Sequence, residues 1–273
     1  MRILERALGV ALFARAARGV TLTGAGQAFE PHASAALDRL AEGIRAVEDV
    51  TTGRRGTLAF GLFANPIAYG IDHLAGTFAR AYPGVTLRLV GQNSSDAAEL
   101  VRQGDLEAAL VALPIDAERL VVRPLLRDEV VYVSADPANS RRAVTIEDMV
   151  DRSIVFFDVG VGDSDPIRRQ LLERAQNAGV RLTARIEVET LAMALRLVAD
   201  GLGDTYLPRA HTRMTSFPTA LSIASFRPAL FDTLALVTRE GATLTPLMRI
   251  FMEHVERHVA TLASAFPDRG HDD

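Results

Sequence analysis

The chain has 273 residues, 48% hydrophobic and 23% charged, with a formal net charge of −4. That length can bury more than one core and favours several domains. With no cysteine in the sequence, disulfides, thiolate metal sites and cysteine nucleophiles are excluded. No apolar run is long enough to span a bilayer and no charged-then-apolar leader opens the chain, which places the protein in the cytoplasm with no membrane partner.

Residues 1–29 begin with Ile3, Leu4, Ala7 and Leu8, an apolar face at helical spacing that Gly9 closes as a left-handed cap. Leu12 and Phe13 are expected to pack back on that face. The extended Val20-Thr21-Leu22-Thr23 predicts a small β-wing flanked by Arg15 and Arg18, with the Thr23 hydroxyl capping the next helix. Here Arg2, Arg6, Arg15 and Arg18 stand against the single acid Glu5. A basic lobe on an acidic protein fits contact with a polyanion.

From Thr23 to about Asp49 the pattern is one long helix. Leu37, Leu40, Ile44 and Val47 recur every three or four residues, beside Arg39, Glu42, Arg45 and Glu48. Such a stripe, with no core of its own, predicts pairing with a second helix. The polar run Thr51-Thr52-Gly53-Arg54-Arg55-Gly56 is the best domain boundary.

Strands and helices then alternate. Strand 57–63 leads to a helix from Pro66 to about Ala81, with Ile71, Leu74 and Phe78 on one face. A turn at Tyr82-Pro83-Gly84 precedes strand 85–90. A helix capped by Ser95 or Asp96 runs through Arg102, followed by strands 106–113 and 129–134. A second set starts near Asp136: strand 154–157, helix 165–177, strand 183–188, helix 190–200 stopped by Gly201, and strand 204–207 closed by Pro208. Strands 221–225 and 234–238, a helix from 245 to about 260 and a frayed tail from Pro267 complete the chain. The alternation argues for an α/β fold with parallel units.

Catalytic signatures are weak. Ser94-Ser95 lacks the setting of a nucleophile elbow. His254 and His258 have a chelating spacing but no third ligand nearby, and a solvated helix face explains them better. Asp158, Asp163 and Asp165 with Gly160 and Gly162 lack the order of a calcium loop. Gly201-Leu202-Gly203 closes a helix instead of opening one, so it is no dinucleotide fingerprint. No metal, cofactor or enzymatic activity is expected.

Leu4-Glu5, Leu8-Gly9, Leu12-Phe13, Arg15, Arg18, Leu22-Thr23 and Ala25-Gly26 together resemble the LysR-type transcriptional regulators. The resemblance continues through Phe78-Ala79-Arg80-Ala81-Tyr82-Pro83-Gly84-Val85, 106–111, Leu197-Val198-Ala199-Asp200-Gly201-Leu202-Gly203 and Leu207-Pro208, reaching from Arg2 to about His258. It implies a two-lobed effector domain similar to periplasmic solute-binding proteins, preceded by a winged helix-turn-helix and a linker helix. The expected divisions are 1–29 for the partial DNA module and 23–50 for the linker. Lobe I takes 57–135 and 231–265, and lobe II takes 136–230. Arg2, Arg15, Arg18, Thr21 and Thr23 would touch DNA, and Leu37, Leu40, Ile44 and Val47 would join subunits as a homodimer or homotetramer. The family's first helices and most of its recognition helix precede this point, so the DNA module is expected to be truncated and DNA a partner only when it is completed.

Ligands of open α/β sheets sit beyond the carboxyl ends of strands, at helix N-termini. That rule selects Asn65, Pro66 and Ile67 after the first strand, Asn93, Ser94 and Ser95 after the second, Phe157 and Asp158 in the second lobe, and Thr190 at a helix start. The family's effector contacts fall at the same places. Asp204 stands where the family usually has an apolar residue. It is expected either to pair with an arginine or to make the cleft acidic together with Asp158. The reading is an effector-responsive regulator. The alternatives are an effector-binding protein without specific DNA binding and a solute-binding protein.

Overall fold

The computed structural model describes residues 2–16, 19–51, 55–91, 93–160, 162 and 165–265. Arg18, Asp163, Thr52 to Arg54 and the tail from Pro267 lie outside the described residues, as do the side chains of Arg2, Arg15 and Val47. The chain divides into two compact units, Met1–Arg55 and Gly56–Asp273.

In the first unit, helix α1 (Arg2–Leu8) ends at Gly9, whose φ of 70° is the left-handed conformation expected of its cap. Strands β1 (Phe13–Ala16) and β2 (Gly19–Leu22) form the antiparallel wing, with Thr21 opposite Ala14. Thr23 then caps helix α2 (Gly24–Thr51): its Oγ1 accepts the Gly26 N–H at 3.0 Å while its hydroxyl donates to Ala11 O at 2.7 Å. A Cβ at residue 26 would lie 2.1 Å from Leu12 O, so only glycine lets α2 start this close to the wing.

One expectation changes here. Only Leu12 turns inward, and Ile3 on α1 is 83% exposed. Glu5 Oε1 accepts the Leu12 N–H at 2.9 Å. A side chain-to-backbone hydrogen bond, more than apolar packing, ties α1 to the ribbon. On α2, Leu37, Leu40 and Ile44 are 67%, 61% and 53% exposed.

The second unit holds a six-stranded sheet in the order β4 (Val85–Val90), β3 (Gly56–Leu62), β5 (Ala108–Leu113), β10 (Ser222–Arg239), β6 (Leu120–Ser134) and β9 (Thr205–Pro208). Strands β3 (Gly56–Leu62), β4 (Val85–Val90) and β5 (Ala108–Leu113) are parallel, as the alternating pattern predicts. Helix α3 (Ile71–Ala81) packs on one face with α8 (Pro246–Ala265). Phe251 of α8 meets Phe60 and Phe78 edge-on at 5.0 and 4.9 Å. Each such buried side chain contributes about 1.5–3 kcal/mol. Helix α4 (Ser94–Gln103) covers the other face through Ala97 and Val101. Helix α3 starts later than expected. Pro66–Tyr69 makes a 3-10 turn, and Gly70, with φ 65°, separates it from Ile71.

The largest departure is in β6 and β10. Strand β6 spans Leu120–Ser134, and β10 runs unbroken over Ser222–Arg239 where two short strands were expected. They pair antiparallel from Leu120↔Arg239 to Ser134↔Ser222, with a register shift between Ser225 and Leu230. Leu234 and Leu236 belong to the core with Phe60, whereas Val130 to Val133 and Leu230 belong to a second core. The lobes therefore share two strands. The boundary expected between 135 and 136 falls instead inside β6, near Asp128–Val130. Pro124, Arg127, Asp128 and Pro228 interrupt the apolar pattern by which strands 129–134, 221–225 and 234–238 are predicted. In the fold these residues occupy the edge and the crossing point of a shared ladder.

The second core lies under helices α5 (Ile146–Val150), α6 (Pro166–Asn177) and α7 (Leu191–Ala199). Its strands β7 (Ile154–Phe156) and β8 (Ala184–Glu187) are parallel, and an Ile154–Asp204 bridge links β7 toward β9 (Thr205–Pro208). Gly201, at φ 73°, closes α7 as the sequence predicts. A Cβ at Gly203 would stand 2.5 Å from Ser153 O.

Candidate functional site

A narrow cleft, with about 40 Å³ of free internal space, opens where strand ends from both cores converge. From the first lobe, Phe63, Ala64 and Asn65 follow β3, Tyr69 comes from the 3-10 turn, and Asn93 and Ser94 begin α4. From the second, Phe157 and Asp158 follow β7, Asp165 and Ile167 begin α6, and Leu191 begins α7. His211 follows β9, and Asp232 sits at the crossing point of β10. Asn65, at φ 57°, makes no capping hydrogen bond with its side chain and lines both this cleft and the neighbouring groove. Asn93 is spent: its Oδ1 accepts the Asp96 N–H at 2.8 Å and caps α4, the role expected of Ser95 or Asp96. Ser94 is buried, and its Oγ accepts the Ala112 N–H at 2.9 Å.

Of the residues selected from the sequence, Asn65, Asn93, Ser94, Phe157 and Asp158 line this cleft, and the others do not. Ile67 points into a neighbouring groove with Leu195 and Phe217. Pro66 only starts the 3-10 turn, and Ser95 lies within the first turn of α4. Thr190 caps α7, accepting the Met193 N–H at 3.3 Å. Asp204 departs most. It neither pairs with an arginine nor enters the cleft, but is buried, accepting the Tyr132 hydroxyl hydrogen and an N–H of Asn139 at 3.1 Å. Two hydrogen-bond donors relieve the cost of burying it.

Sequence reasoning missed Tyr69, His211 and Asp232. An aspartate inside the apolar run Leu230-Phe231-Asp232-Thr233-Leu234 was the available signal, because a lone acid on a buried strand needs a reason. Burial pushes the Asp232 carboxyl up to about 8, and the nearby Asp165 and Asp128 add to the effect. Burial likewise raises Asp158 to about 7, helped by Asp165. Asp165, which caps α6 through the Arg168 N–H at 2.8 Å, is also raised by burial. The His211 imidazole is lowered to about 4 by burial, and its Nδ1 lies 3.2 Å from Pro208 O. Behind the cleft floor, Tyr69 donates its hydroxyl hydrogen to Asp128 at 3.0 Å, and Ala210 N–H donates to the same oxygen at 3.0 Å. On the last helix, His258 Nε2 lies 2.7 Å from Tyr69 O and His254 Nδ1 lies 2.8 Å from Ile250 O.

Two α/β halves that share a pair of strands and enclose a cleft define a two-lobed ligand-binding module. The LysR substrate binding domain matches residues 51–260, and the chain belongs to the LysR family of transcriptional regulators. A probable hydrogen peroxide-inducible genes activator from Mycobacterium avium is 28% identical over 226 residues, covering 82% of this chain and 71% of that protein. The transcriptional regulator YofA of Bacillus subtilis is 25% identical over 256 residues, covering 92% and 85%. Among solved structures, CbnR, a LysR family transcriptional regulator, superposes with a TM-score of 0.71 at 20% identity, covering 93% of this chain and 88% of that one. A hydrogen peroxide-bound mutant of Corynebacterium glutamicum OxyR gives 0.64 at 22% identity, covering 97% and 84%. These structural likenesses establish the fold. Among the described residues no helix is long and apolar enough to cross a membrane.

Proposed function

We propose that the protein is an effector-responsive transcriptional regulator of the cytoplasm. A small molecule binds between the lobes, the wing contributes phosphate contacts, and subunits associate through the exposed stripe of α2. The observation that carries this reading is the family match over residues 51–260, on a chain whose earlier residues form a wing and a long helix. CbnR has been solved in complex with its target DNA, which supports the same role here. In this reading Asn65, Ser94, Phe157 and Asp158 meet the effector.

The named inducer of the peroxide-responsive relatives does not transfer through a thiol, since these 273 residues contain no cysteine. The cleft is read as binding without catalysis. Ser94 Oγ is engaged by backbone, and His211 Nε2 has no hydrogen-bond partner among the described residues. No activated nucleophile is therefore assembled.

Chromatin immunoprecipitation of the protein expressed from its own gene tests the reading. Discrete enriched loci are expected, with transcripts near them changing in a strain carrying Ala64→Trp, which fills the cleft. Ligand binding without any enriched locus would favour an effector-binding protein that lacks specific DNA recognition.

A further inference from the structure

The geometry points to a small organic cation, an alkyl amine or guanidine, as the ligand class of this cleft. The inference rests on the reading of the cleft as the effector site. Three carboxyl side chains, Asp158, Asp165 and Asp232, line it, and among the described residues no arginine does. The guanidinium of Arg168 lies close enough to favour the charged forms of Asp158 and Asp165, but it lines a different pocket. Its Nη2 donates to Phe157 O at 2.8 Å and its Nη1 faces Glu187 at 3.4 Å.

The cleft also holds two buried atoms with nothing to bind. Asp232 is 4% exposed and its Oδ1 has no hydrogen-bond partner among the described residues; His211 is 6% exposed and the same holds for its Nε2. Pro208 O can only accept, so His211 Nδ1 carries the proton, and Nε2 of the neutral ring is a lone-pair acceptor. Buried polar groups are normally paired, and Asp232, whose protonated form burial favours, becomes a second acceptor once a bound cation draws its proton off. An ammonium offers three N–H groups and a positive charge in one small head. Phe63 and Phe157 add aromatic walls suited to an alkyl stem or to cation–π contact. A carboxylate ligand would bring no N–H for His211 Nε2 to accept.

Calorimetry and thermal melts on the full chain test this with probes matched in length: butylamine, putrescine and agmatine against butyrate, succinate and butyramide. One or more of the amines should bind and raise the melting temperature. Asp158→Asn and Asp232→Asn should each weaken that binding by about tenfold or more, and Ala64→Trp should abolish it. Melting of the unliganded variants verifies that they are folded. Amine binding unchanged in Asp232→Asn or in Ala64→Trp would overturn the assignment, as would silence of every amine. Butyrate, succinate or butyramide binding to the parent chain but not to Ala64→Trp would overturn the cation while leaving the effector site standing. The regulator reading then depends only on its own chromatin test.

Discussion

Asp128 and Asp232 stand directly opposite each other across the β6–β10 ladder, both buried, at the point where the shared strands pass from one core to the other. Like charges so placed oppose pairing. Asp128 is relieved by Tyr69 and by the Ala210 N–H, while burial and its neighbours favour the protonated form of Asp232.

Stability should therefore depend on pH in a definite direction. Asp158 and Asp232 have folded values of about 7 and 8, above the roughly 3.9 of an unfolded aspartate. The folded state holds these protons more tightly, so the stability they lend is full at low pH and is lost as pH rises through the folded values. From about pH 6.5 to 8 the melting temperature should fall, and Asp158→Asn with Asp232→Asn should flatten that fall. His211 works in the opposite sense. Its folded value of about 4 lies below the unfolded 6.5, so its contribution is present above 6.5 and is lost as pH drops toward 4. A melting curve series whose slope above pH 6.5 is the same in the double variant would reject the assignment.

Association should depend on α2. Burying each large apolar side chain of its stripe is worth about 1.5–3 kcal/mol, and Leu40 and Ile44 are exposed in the isolated chain. Leu40→Asp with Ile44→Asp should shift sedimentation toward smaller species at a given concentration. Unchanged sedimentation would move the subunit contact elsewhere.

Tyr132→Phe should cost about 1–3 kcal/mol, the range for leaving a buried acceptor short of a partner. The Tyr132 hydroxyl donates to buried Asp204, which lies outside the cleft. Ligand affinity should hold while denaturant stability drops. A loss of affinity matching the loss of stability would instead tie Asp204 to the binding site.

The cap of α4 gives a sharper comparison. Asn93→Ala should lower stability by about 1 kcal/mol, while Ser95→Ala should be nearly silent, because Asn93 holds the Asp96 N–H. Equal effects in urea titrations would return the cap to Ser95.

Much of this molecule was legible in one dimension because its signals are local. Gly9, Thr23, Gly201 and the 85–90 strand need only neighbours in sequence, and each behaves as its chemistry predicts. The cleft was half legible for the same reason: strand ends and helix starts give Asn65, Asn93, Ser94, Phe157 and Asp158. Asp204 and Asp232 exchanged places because their meaning is set by partners far along the chain. The Tyr132 hydroxyl hydrogen-bonds the first from 72 residues away, and the Oδ1 of the second has no partner among the described residues. The length of β6 and β10 was hidden for a related reason. A charged, proline-containing stretch reads as a break until its partner strand is known.

Because β6 and β10 each thread both cores, the first lobe of the 56–273 unit is built from two stretches of chain that flank the second lobe, whose core runs from Val130 to Leu230. A protease nick or an engineered split near residue 135 would sever no hinge linker. It would yield two fragments, each missing strands that the other carries. Such fragments should refold only on recombination, so the unit folds as one piece.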